Sequence, residues 1–335
     1  PNRVAVPEAQ RFHRLRSVLI APAVRPDFIA KLPSRGADVL FLDCEDAVPS
    51  NAKGEARQMI REWVPKLTAD GSTVVVRINP VGSEWFVDDV NVGLSAEINA
   101  VVIPKIERLA DLETATVALD KVGLGHVGVF AGIETALGVA DARSLLTHPR
   151  VTAAYFGAED FVADMGGVRT ESNAEVAYAR ATVAVAARLA SVSLVDQVVT
   201  NFSDDARYSR EATEARNLGY DGKLCIHPTQ VQLANEAFTP SVAEIDRARR
   251  LLTAYDSSSA QGVAAIDFEG QMVDEPLAVQ ARRLLERVAA DEAPSLPDRG
   301  RGVVANDVCN DVRGTGAVVD LDLSVRTKAN GHEVR

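Results

Sequence analysis

Eight short runs of β-branched and aliphatic residues, separated by longer amphipathic segments, follow one another from residue 16 onward. This alternation is typical of strand–helix units repeated around a parallel sheet. Eight such units predict a closed TIM (β/α)8 barrel, in which the helices pack outside the strands. The predicted strands are residues 17–21, 39–42, 74–78, 100–103, 127–133, 153–156, 195–199 and 223–226.

A second pattern begins after the last predicted strand. Residues 241–255 predict a helix, because Ser241 is a favourable N-cap and Glu244, three residues later, completes a capping box. Residues 264–268 predict a strand that ends in a turn, and residues 276–290 predict another amphipathic helix. We therefore expect a C-terminal helical appendage on the barrel.

These patterns divide the chain into three segments. We predict a barrel domain over residues 1–240 and the appendage over residues 241–293. Residues 294–335 form a tail in which a polar stretch is followed by a strictly alternating, strand-like run. The sequence assigns no role to this tail.

Charge and composition argue against several classes of protein. The 47 acidic residues outnumber the 36 basic residues, and the net charge of -11 disfavours binding to nucleic acid. No apolar stretch approaches the roughly 20 residues that a membrane-spanning helix needs. Three widely spaced cysteines predict neither a disulfide framework nor a structural zinc site. We expect a cytoplasmic protein that binds neither nucleic acid nor membrane.

Charged residues follow several of the predicted strands directly. Asp43 and Glu45 follow the second strand, and Arg77 lies near the end of the third. Glu134 and Asp160 follow the fifth and sixth strands. Barrel active sites form at the carboxyl ends of the strands, so we expect these side chains to meet at one rim. Carboxylates without a His or Cys cluster favour Mg²⁺ over zinc, and Arg77 supplies a fixed cation beside them.

Each of these residues also has a structural interpretation. Acidic residues taken singly are usually exposed at the surface. Glu134 is compatible with a carboxylate at a helix N-terminus, and Asp160 with a loop cap. Arg77 is compatible with a buried partner of Asp43 or Glu45. The collection of all five residues at one rim favours a functional site, but the residue pattern leaves these alternatives open.

Eight short motifs occur in order between about residue 16 and about residue 290. They are AP and RP within 21–26 with Lys31, FLDCEDAV at 41–48, VRIN at 76–79, IPK at 103–105, GIET at 132–135, GAEDF at 157–161, GKLCIHP at 222–228 and GQMVD at 270–274. Through this ordered set the chain resembles the citrate lyase β-subunit-like coenzyme A ester lyases. That family includes malyl-CoA, citramalyl-CoA and citryl-CoA lyases.

The resemblance implies a magnesium-dependent lyase on a TIM barrel. Its substrate is then a carboxylated 3-hydroxyacyl-CoA, which is cleaved reversibly into an acyl-CoA and a 2-oxo acid. In this interpretation Glu134 and Asp160 are the metal ligands and Arg77 contacts the oxyanion of the substrate. Glu45 or Asp43 then orders Arg77 or a water molecule at the metal.

The resemblance also implies a coenzyme A site near the first and eighth strands. Arg25 and Lys31 are candidates for contacts with its phosphates, since basic side chains suit that task by charge and donor geometry. Ile226 and His227 are candidates for the cofactor or acyl pocket. A solvated helix face explains Lys31 almost as well, and a histidine before proline is often a packed loop residue.

Asp274 lies in the appendage and matches the lid segment of the family. The resemblance implies a homo-oligomer, a trimer or a hexamer, in which the lid of one subunit closes over its neighbour's site. Asp274 then transfers a proton at the carbon next to the thioester. The alternative is that Asp274 caps the helix that opens at Pro276, because Asp is a favoured N-cap and Pro a favoured first-turn residue.

Two other functions remain open at the level of the sequence. Water could intercept the thioester in the same pocket, which would make the protein an acyl-CoA thioesterase. Alternatively, the barrel could serve as a non-catalytic subunit, although the complete set of acids and Arg77 argues against that.

Overall fold

Eight parallel strands form a closed barrel in the computed structural model, which describes residues 12–292. The strands are β1 (Ser17–Pro22), β2 (Val39–Asp43), β3 (Val74–Arg77), β4 (Ala100–Ile103), β5 (Gly128–Ile133), β6 (Val151–Phe156), β7 (Ser193–Asp196) and β8 (Gly222–Cys225). Neighbours pair in sequence order, and β8 pairs with β1 to complete the barrel. The predicted TIM (β/α)8 barrel is confirmed.

The seventh strand differs most from its predicted position. It was expected over residues 195–199, but β7 spans Ser193–Asp196. Val199 is buried in the loop that follows, and its carbonyl accepts a hydrogen bond from Gln230 Nε2 at 3.0 Å. The apolar run thus extends past the end of the strand, because the loop itself packs into the core.

Helices cover the outside of the barrel. They are α1 (Pro26–Ile29), α2 (Lys53–Ala69), α3 (Phe86–Asp88), α4 (Leu109–Lys121), α5 (Ala136–Leu145), α6 (Ala158–Asp164), α7 (Ala177–Ala190), α8 (Asp205–Leu218) and α9 (Pro228–Phe238). Their apolar faces pack against outward-facing strand residues, while side chains such as Phe41, Val75 and Phe130 fill the barrel interior. Both faces of the sheet are therefore covered, which explains why all six residues of β5 and of β6 are buried.

The C-terminal appendage has the predicted order of elements. Helix α10 (Val242–Ser259) begins with the expected capping box between Ser241 and Glu244. Strands β9 (Ile266–Phe268) and β10 (Gln271–Val273) form an antiparallel hairpin, and α11 (Glu275–Glu292) follows. Both helices have 18 residues, yet no helix within residues 12–292 is long and apolar enough to cross a membrane. The predicted tail over residues 294–335 lies outside the described residues.

Within residues 12–292, two ion pairs join the appendage to the barrel. Arg216 contacts Glu244 at 2.8 Å, and Arg287 contacts Asp221 at 2.8 Å. Asp221 directly precedes β8, and Arg216 lies in the last turn of α8. Both pairs are thus at the amino-terminal end of the barrel, whereas barrel active sites lie at the carboxyl-terminal end.

Candidate active site

The carboxyl ends of β2 and β3 bring Asp43 and Arg77 together. The two residues are direct partners in the strand register. Arg77 donates from Nε and Nη2 to the two carboxylate oxygens of Asp43, each at 2.7 Å. Asp43 is fully buried, and it also accepts from the backbone nitrogens of Glu45 and Ala47 at 2.9 and 3.1 Å. The guanidinium plane of Arg77 is therefore fixed by a two-point contact.

Glu45 lies against the other side of Arg77. Its Oε2 is 3.1 Å from Arg77 Nη1, but the pair lacks hydrogen-bond geometry, and this buried oxygen has no hydrogen-bond partner among residues 12–292. Its Oε1 accepts a hydrogen bond from Lys105 Nζ. Burial raises the pKa of Glu45 to about 7, against the opposing effects of Arg77 and Lys105. The rim thus leaves one buried carboxylate incompletely compensated.

Glu134 directly follows β5 and is 1% exposed. Its Oε1 accepts two hydrogen bonds, from the Lys105 backbone nitrogen at 2.9 Å and from the Tyr155 hydroxyl at 3.1 Å. Any Cβ at residue 157 would collide with the Glu134 carboxylate, so Gly157 provides the room that Oε2 needs. Burial raises the pKa of Glu134 to about 7. Oε2 retains its lone pairs for a ligand.

The structure also bears on the structural interpretations of Glu134 and Asp160. The N-cap of α5 is Thr135, whose hydroxyl accepts from Gly138 N at 3.0 Å, and Glu134 directly precedes this cap, so its place at a helix N-terminus is compatible with the structural interpretation as well. Asp160 lies in the first turn of α6, and its Oδ1 is 3.3 Å from Lys105 Nζ. Both carboxylates are therefore linked to the same lysine.

Lys105 and Tyr155 are site residues that the sequence analysis did not select. Lys105 follows β4, and its ammonium contacts Glu45, Asp46 and Asp160. The signal was its place in the IPK motif, directly after a strand end. Tyr155 points into the barrel from β6, where a buried hydroxyl requires a partner. Eight residues form what we call the rim cluster: Asp43, Glu45, Asp46, Arg77, Lys105, Glu134, Tyr155 and Asp160.

The rim cluster has a donor set that fits a magnesium ion. Within residues 12–292, no group of three or more His, Cys, Asp or Glu side chains is arranged around a metal position. Mg²⁺ needs only one or two protein carboxylates, the remaining positions being taken by water and substrate oxygens. Glu134 Oε2 and the half-buried Asp160 have the chemistry that such a ligand requires. The cluster's carboxylates also outnumber its cations, Arg77 and Lys105, so a divalent cation offsets the excess of negative charge.

Three of the residues predicted to contact coenzyme A share one cavity. Lys31, Ile226 and His227 line a space of about 270 Å³ between β1 and the end of β8. Arg25 lies beside this cavity. Its guanidinium stacks 3.8 Å from the ring centroid of Phe28, a lining residue, and pairs with Asp27 at 2.9 Å.

His227 has a structural role of its own in this region. It is the N-cap of α9, and its Nδ1 accepts from Thr229 N at 3.3 Å. Its ring stacks on Phe202 with centroids 5.2 Å apart. His227 is therefore both a packed loop residue and a part of the cavity wall. Its contact with the cofactor stays a prediction.

Asp274 immediately precedes α11. Its carbonyl accepts from the backbone nitrogens of Leu277 and Ala278, both at 3.1 Å. No hydrogen bond or ion pair of its carboxylate, to the rim cluster or to the first turn of α11, is present among the residues described here. The side chain is half-buried, so the carboxylate is available for other contacts.

Comparisons with known proteins place the chain among similar sequences. A family model described as HpcH/HpaI aldolase/citrate lyase matches residues 16–228. A citrate lyase subunit beta-like protein of Deinococcus radiodurans is 46% identical over 279 residues, which are 82% of this chain and 98% of the relative. A (3S)-malyl-CoA thioesterase of Cereibacter sphaeroides is 31% identical over 84% of this chain and 97% of its own.

Solved structures show the same similarity. Protein CitE from Mycobacterium tuberculosis, in complex with magnesium, acetoacetate and coenzyme A, is 31% identical with a TM-score of 0.69 over 82% of this chain and 97% of its own. A citrate lyase beta subunit from M. tuberculosis, complexed with oxaloacetate and magnesium, has a TM-score of 0.59 at 31% identity, over 68% of this chain and 99% of its own. The family model spans more than half of the sequence. The chain belongs to the HpcH/HpaI aldolase/citrate lyase family.

Proposed function

We propose that this protein is a Mg²⁺-dependent lyase that reversibly cleaves a carboxylated 3-hydroxyacyl-CoA into an acyl-CoA and a 2-oxo acid. The observation that carries the proposal is the environment of the Glu134 carboxylate. It is a buried carboxylate whose Oε1 is held by two donors and whose Oε2 is kept open by Gly157, beside Asp160 and two cations. The magnesium and oxo acids bound by the CitE relatives support this assignment.

The reaction breaks the bond between the carbon that bears the hydroxyl and the carbon next to the thioester. The hydroxyl loses its proton and becomes the ketone of the 2-oxo acid. The electron pair of the broken bond passes into the thioester as an enolate, and the α-carbon then takes up a proton. Bound Mg²⁺ supplies a Lewis acid for the substrate oxygens, with Glu134 and Asp160 as its protein ligands.

Arg77 is the group that we assign to the developing negative charge. Its Nη1 points toward Glu45, while Nε and Nη2 are fixed by Asp43, so the guanidinium is preorganised before substrate binds. Asp43 and the Oε2 atom of Glu45 are buried. Both therefore act as positioning residues in this proposal, Asp43 for Arg77 and Glu45 for Arg77 and Lys105.

Asp274 of a neighbouring subunit is proposed to deliver the proton to the α-carbon. Its carboxylate makes no hydrogen bond within the described part of its own chain, which supports a role outside its own subunit. The proposal requires a homo-oligomer, a trimer or a hexamer. Lys31, Ile226 and His227, with Arg25 beside them, are proposed to bind coenzyme A in the cavity next to β1.

Subunit mixing tests the role of Asp274. Asp274→Asn and Glu134→Gln proteins are expected to be nearly inactive when pure, and activity should partly return once their subunits exchange. If Asp274 serves its own barrel, every site in the mixture carries one lesion and activity does not return. Substantial turnover by pure Asp274→Asn would rule out the proton-transfer role, because the amide of Asn keeps the shape of the side chain but does not exchange a proton in this way.

A thioesterase is the second candidate, and the (3S)-malyl-CoA thioesterase of Cereibacter sphaeroides favours it. Product analysis separates the two reactions. Malyl-CoA, citramalyl-CoA and citryl-CoA are incubated with Mg²⁺, and the products are identified by mass spectrometry. A lyase yields an acyl-CoA and a 2-oxo acid without free thiol, whereas a thioesterase releases free thiol without a 2-oxo acid. No turnover of any CoA ester would favour a non-catalytic subunit.

A further inference from the structure

Lys105 touches both proposed metal ligands through two different groups. Its backbone nitrogen donates to Glu134 Oε1 at 2.9 Å, and its ammonium lies 3.3 Å from Asp160 Oδ1. The residue has a φ of 52°, in the left-handed region that residues other than glycine rarely adopt. Such a conformation costs free energy, so the surrounding contacts must hold it in place.

We propose that Lys105 sets the divalent-metal affinity of the rim cluster, because its ammonium competes with the metal ion for Asp160. This inference rests on the proposed function, which takes Glu134 and Asp160 as the ligands. Lys105 is thereby a positioning residue, one that acts through the carboxylates it contacts.

The charges around the ammonium give the direction of the effect. Lys105 Nζ also contacts Glu45 and, at 3.4 Å, Asp46, so it already partly neutralises three carboxylates. A divalent ion that binds Asp160 must approach this positive charge, and the side chain is only 28% exposed, which limits screening by water. Removing the ammonium therefore strengthens metal binding.

Turnover is expected to change in the opposite direction. Without the ammonium, Glu45 loses the donor to its Oε1, and the carboxylate that lies against Arg77 is no longer held. The proposal thus predicts tighter metal binding together with slower catalysis. If Lys105 has only a structural role, its removal should disorder the site. Metal binding would then become weaker, and the melting temperature of the protein would fall.

Calorimetric titration of the EDTA-treated full-length chain with Mn²⁺ or Mg²⁺, without CoA ester, tests the proposal. Lys105→Met removes the charge but keeps the unbranched stem and the backbone donor, and Lys105→Gln is a second uncharged variant. Lys105→Arg retains the charge. Lys66→Met is the matched control, because Lys66 is exposed, pairs with Glu62, and its loss changes net charge equally.

We expect the Kd to fall about tenfold in both uncharged variants, as the loss of one close like charge implies. The Lys105→Arg and Lys66→Met proteins should bind as the wild type does. Unchanged or weaker metal binding by folded Lys105→Met and Lys105→Gln proteins would overturn the proposal while leaving the lyase assignment intact. If the wild type itself binds no divalent ion, the rim cluster is not a metal site. Both the proposed function and this inference are then wrong.

Discussion

Two clusters of buried charge lie at different places in the barrel, and they differ in how completely their charges are compensated. The rim cluster is at the carboxyl ends of β2 to β6. The second, which we call the interior cluster, consists of Arg180, Asp196, Glu211 and Lys223 and lies between β7, β8 and helices α7 and α8. All four of its side chains are at most 3% exposed, whereas Lys105 and Asp160 in the rim cluster are 28% and 35% exposed.

In the interior cluster every charge has a close partner. Arg180 donates twice to Asp196 at 3.0 Å, and Lys223 Nζ lies 2.7 Å from Asp196 and 3.5 Å from Glu211. Arg207 adds a second cation to Glu211 at 2.7 Å. In the rim cluster, by contrast, Glu45 Oε2 has no hydrogen bond to any residue that the structure describes.

The pKa values of glutamates in the two clusters move in opposite directions. Burial alone would raise the pKa of Glu211, but Lys223 and the hydrogen bond from Arg207 lower it to about 2. Burial raises the pKa of Glu45 and of Glu134 to about 7, because the nearby cations do not compensate for it. In the interior cluster the charges compensate one another within the fold, whereas the carboxylates at the rim are left to be compensated by a bound cation.

Glu134→Gln should have the largest effect and should separate activity from stability. The substitution keeps the shape of the side chain but removes a metal ligand, so we expect turnover to fall about a thousandfold. The melting temperature should stay the same or rise, because an uncharged group suits this buried position. Steady-state kinetics and thermal unfolding measure the two quantities. A large loss of stability would instead mean that Glu134 stabilises the fold, as the residues of the interior cluster do.

Lys223→Met should show the reverse pattern in the interior cluster. The change leaves Asp196 and Glu211 buried with fewer partners, which we expect to cost about 3 kcal/mol of unfolding free energy. Urea denaturation measures this cost. The kcat/KM of the remaining folded protein should be close to that of the wild type, and a selective loss of kcat would show that the interior cluster takes part in the chemistry.

Arg77→Lys tests whether the rim needs a directed cation or only a charge. Lysine cannot reproduce the two-point contact with Asp43, so we expect kcat to fall about a hundredfold with a smaller change in KM. Steady-state kinetics with the best CoA ester gives both values. A change confined to KM would mean that Arg77 binds the substrate and the transition state equally well.

The free energy of unfolding at acid pH should reveal the contribution of Glu211 in the interior cluster. The folded-state pKa of Glu211, about 2, lies below its ordinary value of 4.5, so its stabilising contribution is complete above pH 4.5 and is lost as the pH falls toward 2. We expect the wild type to exceed Glu211→Gln by about 2 kcal/mol at pH 7 and by progressively less in acid. Urea denaturation at several pH values checks this, and a constant difference would contradict it.

The barrel and most of the rim could be predicted from the sequence because both depend on local order along the chain. A strand buried on both faces gives a continuous apolar run, and a residue just after such a strand lies at the rim. Glu134 follows this rule, and Asp43 and Arg77 are the last residues of their strands. The rule fails for β7, where the apolar run continues into a buried loop.

The contacts of Lys105 and Tyr155 were beyond sequence reasoning for a different reason. Lys105 meets Glu45 across 60 positions of the chain, and its left-handed backbone has no signal in the sequence. Tyr155 reads as one more core residue of β6 until its hydroxyl is placed beside Glu134. Long-range side-chain pairing depends on strand register and rotamer, which apolar periodicity does not encode.

The magnesium dependence of carbon–carbon cleavage tests the central claim most directly. EDTA-treated wild-type protein is titrated with Mg²⁺ while 2-oxo acid release from the best CoA ester is followed, and Glu134→Gln is titrated in parallel. We predict that the wild type gives no 2-oxo acid without metal, that release rises to saturation with Mg²⁺, and that the variant stays near background throughout. Full release of 2-oxo acid by metal-free wild type, or by Glu134→Gln, would contradict the account.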